Sequence, residues 1–117
     1  MKNNSVKIEF IFGLEKNSLN QEISWEKSRA ALKEIKRVAL ELFGGYSYSQ
    51  GRGAWVNDGE TYSEECGNVT IVQPQTATAD GDRELRAAIE TLASVIKNTL
   101  ALKAVLINVT VINSELF

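Results

Sequence analysis

Two amphipathic stretches of helical period, each flanked by strands of period two, constrain most of what this 117-residue chain can fold into. Residues 5–14 alternate: Val6, Ile8, Phe10, Phe12 and Leu14 fall on one face, with Lys7 and Glu9 on the other, which predicts a half-buried strand. Glu15 to Asn20 reads as a polar linker. Over 24–43, Trp25, Leu32, Ile35, Ala39 and Leu42 recur at helical spacing, and Val38 and Phe43 widen that stripe; lysines and arginines take the outer face. Ser24 is placed to cap this helix, and Gly44-Gly45 to end it in left-handed backbone. A second strand is expected at 46–50, with Tyr46 and Tyr48 on one face, resuming at Ala54-Trp55-Val56. Asn57-Asp58-Gly59 is a turn signal, and Tyr62 begins a returning arm that leads to a third strand at 68–73. A second helix, capped by Asp82 or by Asp80, carries Leu85, Ile89, Leu92, Ile96 and Leu100. The last strand is expected over 104–112.

The order β-α-β-β-α-β predicts one α+β domain spanning residues 1–117. Right-handed crossovers favour a four-stranded antiparallel sheet with both helices on one face, a ferredoxin-like sandwich, with another α+β sandwich of different strand order as the alternative. Residues 50–67 form an excursion between the second and third strands. The final strand is apolar on both faces, with Val105, Ile107, Val109 and Val111 on one and Ala104, Leu106 and Ile112 on the other. An antiparallel strand with one side in water is polar there, so a cover is expected. A second copy of the chain, in a homo-oligomeric dimer or trimer, is the economical one; the tail or the excursion folding back is the alternative.

Composition removes several chemistries. The chain has no histidine, which excludes Ser-His-Asp and Cys-His catalysis and histidine metal ligation. Its one cysteine, Cys66, cannot form an intrachain disulfide or a thiolate zinc site within one chain. A net charge of −2 lacks the footprint of a non-specific nucleic-acid binder, so no nucleic acid is expected. No apolar run suits a membrane span, the first residues lack the apolar core of a signal peptide, and a cytoplasmic location is expected.

Residues 44–67 concentrate glycine, tyrosine and acidic side chains, and candidate chemistry gathers there. Glu64 and Glu65 are neighbouring carboxylates that can act as general acid or base, although in a strand only one of them can face a pocket. Tyr62 offers a phenol, and Trp55 offers a surface for stacking on a base or on a sulfonium or ammonium cation. Gly51-Arg52-Gly53 offers backbone donors and a guanidinium suited to phosphate or carboxylate, or else a flexible bulge. The expected ligand-binding set is thus Arg52, Trp55, Tyr62, Glu64 and Glu65, with Glu64, Glu65 and Tyr62 as catalytic candidates. Asp58, Glu60, Glu64 and Glu65 lack the spacing of a calcium loop, and neither a metal nor a cofactor is expected. Trp25 and Cys66 read as packing residues.

The pattern G-G-Y-x-x-x-x-G-x-G-A-W-x-x-x-G-x-x-Y-x-E, followed by a V-T-I-V strand and a last helix and strand, resembles uncharacterised small accessory proteins of phages, plasmids and integron gene cassettes. That resemblance implies no activity. The chain is also similar to the phage enzymes that degrade S-adenosylmethionine, which place a glycine-and-aromatic segment before a Glu-Glu pair, a strand, a helix and a strand. This likeness implies a tyrosine and a glutamate at a site between subunits, with Glu64 or Glu65 as the glutamate; the tyrosine position falls near Trp55, leaving Tyr62 as the substitute. The expected fold also resembles the trimeric PII-like signalling proteins, in which the excursion between the second and third strands is the regulatory loop and ligands bind between subunits. The function expected is therefore a non-catalytic module for a small anionic or nucleotide-like ligand or a protein partner, with a phage-type S-adenosylmethionine lyase as the alternative.

Overall fold

The structure, a computed structural model, describes residues 2–115; for Lys2, Asn3, Trp55, Asn57, Ser114 and Glu115 the description is of the backbone alone. The elements are β1 (Lys2–Gly13), α1 (Trp25–Phe43), β2 (Ser47–Asn57), β3 (Glu60–Pro74), α2 (Ala79–Leu100) and β4 (Leu106–Glu115). The four strands form one sheet in the order β2-β3-β1-β4, with every neighbouring pair antiparallel. This is the α+β, ferredoxin-like arrangement expected.

Period two in β1 and period 3.6 in the helices build one core. Val6, Ile8, Phe10 and Phe12 are buried beneath Ala31, Ile35, Val38, Ala39 and Phe43 of α1 and Leu92, Ile96 and Leu100 of α2. Both helices therefore cover the same sheet face. Phe10 and Phe43 meet as a tilted ring pair with centroids 6.4 Å apart.

The ends of α1 follow its sequence. Ser24 Oγ accepts from the Lys27 amide at 3.1 Å, and Gly44 adopts φ 77° while its amide donates to the Leu40 carbonyl. The start of α2 differs from expectation. Thr78 is the cap and accepts from the Gly81 amide at 3.0 Å, whereas Asp80 and Asp82 lie in the first turn, where their charge meets the positive end of the helix dipole. Asp82 in turn accepts from the Thr76 hydroxyl.

Four further expectations are corrected. Trp25 is 69% exposed rather than core, because it is the first residue of α1, at the rim of the apolar stripe. Leu42, in the last turn, is partly exposed. The linker after β1 is organised: Asn17 Oδ1 accepts from the amides of Leu19 and Gln21 at 2.9 and 3.0 Å, and the Ser18 amide donates to the Ala101 carbonyl at the end of α2. The excursion over 50–67 has its expected turn, but Gly51-Arg52-Gly53 is continuous strand rather than a bulge. β2 and β3 pair without interruption from Ser47↔Thr70 to Asn57↔Glu60, and Asp58 (φ 52°) and Gly59 (φ 77°) make the two-residue turn. Because β1 pairs with β3 only as far as Cys66, residues beyond it form a two-stranded arm that projects past the sheet.

β4 begins at Leu106, two residues later than expected. Its exposure is two-sided. Val109 and Val111 pair with Ile8 and Val6 and so share the helix-side face, yet they are exposed, as is Leu106 on the opposite face. The open sheet face is mixed, carrying Lys7, Glu9, Asn68, Thr70 and Asn108 beside Ile11 and Val72.

Candidate functional site

The ladder of the arm decides which candidates meet. Arg52 pairs with Glu65, Gly53 with Glu64, and Trp55 with Tyr62. Side chains alternate along each strand, so Arg52 and Glu65 share one face while Tyr62 and Glu64 share the other. The Glu pair is split between two environments.

The Glu65 face continues the core side of the sheet outward, in line with Tyr48, Gln50 and Val69. Here the end of β1, the following loop and the start of α1 close a groove of about 630 Å³ whose walls include Glu15, Glu22, Trp25, Gln50 and Glu65. A second hollow of about 690 Å³ runs on along α1 and shares Trp25, Ser28 and Gln50 with the first. The Arg52 guanidinium lies 3.3 Å from Glu15 and 3.5 Å from Glu65. All three side chains are substantially exposed, and pairs of this kind hold by only about 0–1 kcal/mol. Arg29 sits over the Trp25 ring, 5.1 Å from its centroid, and Lys36 sits 4.3 Å from the Tyr48 ring centre. The Tyr48 hydroxyl is out of water and has no hydrogen bond of normal geometry. Burial raises its pKa; the Gln50 side chain opposes that rise and the Glu65 charge adds to it.

The opposite face is a fastening. The Glu64 carboxylate fills the space above Gly13 and accepts from the Glu15 amide at 3.4 Å. Tyr62 Oη donates to Glu60 at 3.0 Å rather than to Glu64. A hollow of about 520 Å³ lies on this side, with Tyr62, Glu64, Lys16 and Lys103 among its walls. The Cys66 thiol is pushed up, first by burial and then by Glu64, Glu65 and Glu15, with the Gly53 backbone acting the other way.

The Gly-Arg-Gly segment is extended strand. Neither Gly51 nor Gly53 has positive φ, and successive amides of a strand point in opposite directions, so they do not converge as an anion nest does. The Trp55 side chain lies outside the described residues. Among the described residues no three acidic or thiol groups gather as a metal site would require, and no helix is long and apolar enough to cross a membrane.

Four groove residues, Glu15, Glu22, Trp25 and Gln50, lie outside the set expected from the sequence. Trp25 carried a signal, since it stands at a helix start, where an apolar stripe is only beginning. Glu15, Glu22 and Gln50 carried none, because only the fold brings the β1–α1 connection and this position of β2 to Glu65.

No protein-family model and no curated protein matches this sequence. Solved structures are similar to it. A phage SAM lyase in complex with S-methyl-5'-thioadenosine superposes with TM-score 0.64 at 11% identity, over 94% of this chain and 88% of that one. A phage SAM lyase in its apo state gives 0.59 at 13% identity, over 99% and 93%. The divalent ion tolerance protein CutA1 from Ehrlichia chaffeensis gives 0.53 at 12% identity, over 94% and 81%. At these identities the likeness establishes a shared fold.

Proposed function

We propose that this chain is a small-ligand-binding domain whose arm and groove hold a positively charged adenosine derivative of the S-adenosylmethionine class. The observation that carries the reading is the groove itself: glutamates from two separate segments, Glu15 and Glu22 of the β1–α1 connection and Glu65 of β3, line one hollow beside an exposed indole, against one lysine, Lys16. Carboxylates select a sulfonium charge, and a volume near 630 Å³ suits a nucleoside-sized molecule, since such pockets run from about 300 to 1,000 Å³. The likeness to a lyase holding S-methyl-5'-thioadenosine supports the same ligand class. An anionic ligand fits less well, because the groove walls carry three glutamates against one lysine, and the Arg52 guanidinium beside Glu15 and Glu65 offsets that excess only in part.

Titration calorimetry tests this. S-Adenosylmethionine is expected to bind, with S-adenosylhomocysteine, the neutral thioether that keeps the amino-acid arm and lacks only the sulfonium methyl, weaker, and Glu65→Gln narrowing the gap between them. Equal affinity for the two in the unaltered protein removes the charge-selection argument, and no binding of either removes the reading.

A second reading, cleavage of that ligand, draws on the two lyase structures that share nearly the whole length of this chain. Cleaving a sulfonium sends the C–S electron pair to sulfur and abolishes its charge. A carboxylate beside it therefore favours the intact ligand over the transition state, which is why binding is placed first. Glu64, Glu65 and Tyr62 are the residues for a lyase test. Chromatography after incubation with S-adenosylmethionine showing no S-methyl-5'-thioadenosine above the blank ends the lyase reading.

The binding reading includes a homo-oligomer, in which a second copy covers Leu106, Val109 and Val111 along the β4 edge. Size-exclusion chromatography with light scattering that finds only monomer at micromolar concentration refutes it.

A further inference from the structure

We infer that Trp25 and Gln50 form the base-recognition step of the groove: a purine stacks on the Trp25 indole in the place now held by Arg29, and its edge meets the Gln50 amide. The inference rests on the proposed function and assigns to Trp25 the stacking role that sequence reasoning gave to Trp55.

Four observations converge. Trp25 is 69% exposed although it is among the largest apolar side chains in the chain, and Ser24 already supplies the helix cap, so neither packing nor capping accounts for an indole at this position. Trp25, with Ser28 and Gln50, belongs to both hollows and so stands where they join. One face of the ring already holds a planar cation, since Arg29 lies 5.1 Å from its centroid and makes no ion pair among the described residues. A purine is likewise flat, and aromatic stacking rewards the same geometry. Gln50 presents a donor and an acceptor together, matching the amino group and ring nitrogen at one edge of adenine. With the base on Trp25, the rest of the molecule extends into the hollow walled by Glu15 and Glu65.

Two measurements test the assignment. In Trp55→Phe, Trp25 is the only remaining tryptophan, and its emission is expected to quench saturably on titration with S-methyl-5'-thioadenosine. By calorimetry, Trp25→Ala is expected to weaken S-methyl-5'-thioadenosine binding at least tenfold while the far-ultraviolet circular dichroism stays unchanged. Gln50→Ala is expected to reduce the preference for the adenine ligand over its inosine counterpart. Arg29→Ala leaves affinity equal or improves it, because a competitor for the ring is gone. If the unaltered protein binds and Trp25→Ala binds equally well, the base does not lie on Trp25, and the proposed function survives without this inference. If Trp55→Ala alone abolishes binding, the base belongs on Trp55 and the inference is overturned. If the unaltered protein binds neither S-adenosylmethionine nor S-methyl-5'-thioadenosine, the proposed function and the inference fall together.

Discussion

The Glu64 carboxylate occupies the space that a side chain on Gly13 would need. A β-carbon built on Gly13 overlaps that carboxylate, whose other contact is the Glu15 amide at 3.4 Å. The arm is thereby latched to the end of β1 through the absence of a side chain. Gly13→Ala is expected to expel Glu64 and cost about 1–3 kcal/mol in urea unfolding. In a Glu64→Ala background the same change should cost clearly less, because the clash is gone; equal costs in both backgrounds would show that the two residues are not coupled.

The boundary of the core can be tested with two large apolar residues of one helix. Ile35 is fully buried, so Ile35→Ala is expected to cost about 2–5 kcal/mol. Trp25 lies outside the core, and Trp25→Ala is expected to change stability by about 0.5 kcal/mol or less. Denaturant midpoints for the two variants, measured side by side, check the contrast.

Ala101 ends α2 at φ 54°, a left-handed conformation that disfavours any side chain. Ala101→Gly is expected to stabilise by about 0.5–1 kcal/mol, read as a rise in thermal midpoint. The Ala101 carbonyl still accepts from Ser18, so the loop after β1 should keep its protection from hydrogen exchange.

Two groups make stability fall at alkaline pH. Cys66 and Tyr48 both have folded pKa values above their ordinary 9.0 and 10.0, so the folded state holds each proton more tightly than the unfolded chain does. Their contribution is complete below those ordinary values. It is lost as the unfolded chain deprotonates first, from about pH 9 upward, until the folded pKa values are passed. Unfolding free energy measured from pH 8 to 11 should decline, and less steeply in Cys66→Ala. Iodoacetamide should alkylate Cys66 slowly at pH 8 in buffer and quickly in urea.

The sheet and helices were legible because their signals are local. Val6 to Phe12 alternate, Ile35 and Ala39 recur at helical spacing, and Ser24 and Gly44 mark helix ends. Of the arm, the resumed strand at Ala54-Trp55-Val56, the turn at Asn57-Asp58-Gly59 and the return from Tyr62 were legible, while its unbroken pairing through Gly51-Arg52-Gly53 was not. The arm carries no core, so its strands lack an apolar face, and backbone pairing alone makes it regular. The groove was mostly hidden for a different reason. Glu15, Trp25, Gln50 and Glu65 lie on different elements, and their meeting depends on where α1 starts relative to the end of β1. For α2, two acidic caps and one threonine competed within five residues, and the hydroxyl of Thr78 won while the aspartates served the first turn.

The tight turn at Asp58-Gly59 makes parity a property of the arm. An uninterrupted ladder has a side-chain period of two, so inserting or deleting a single residue between Gly51 and Asn57 either forces a bulge or exchanges the two faces beyond it. A shift of one position on β3 would turn Glu64 into the groove and Glu65 onto Gly13. The arm can therefore keep its two-residue turn and the facing of every residue beyond a change only when it lengthens or shortens by two residues per strand, and changes at its tip leave the groove residues where they are.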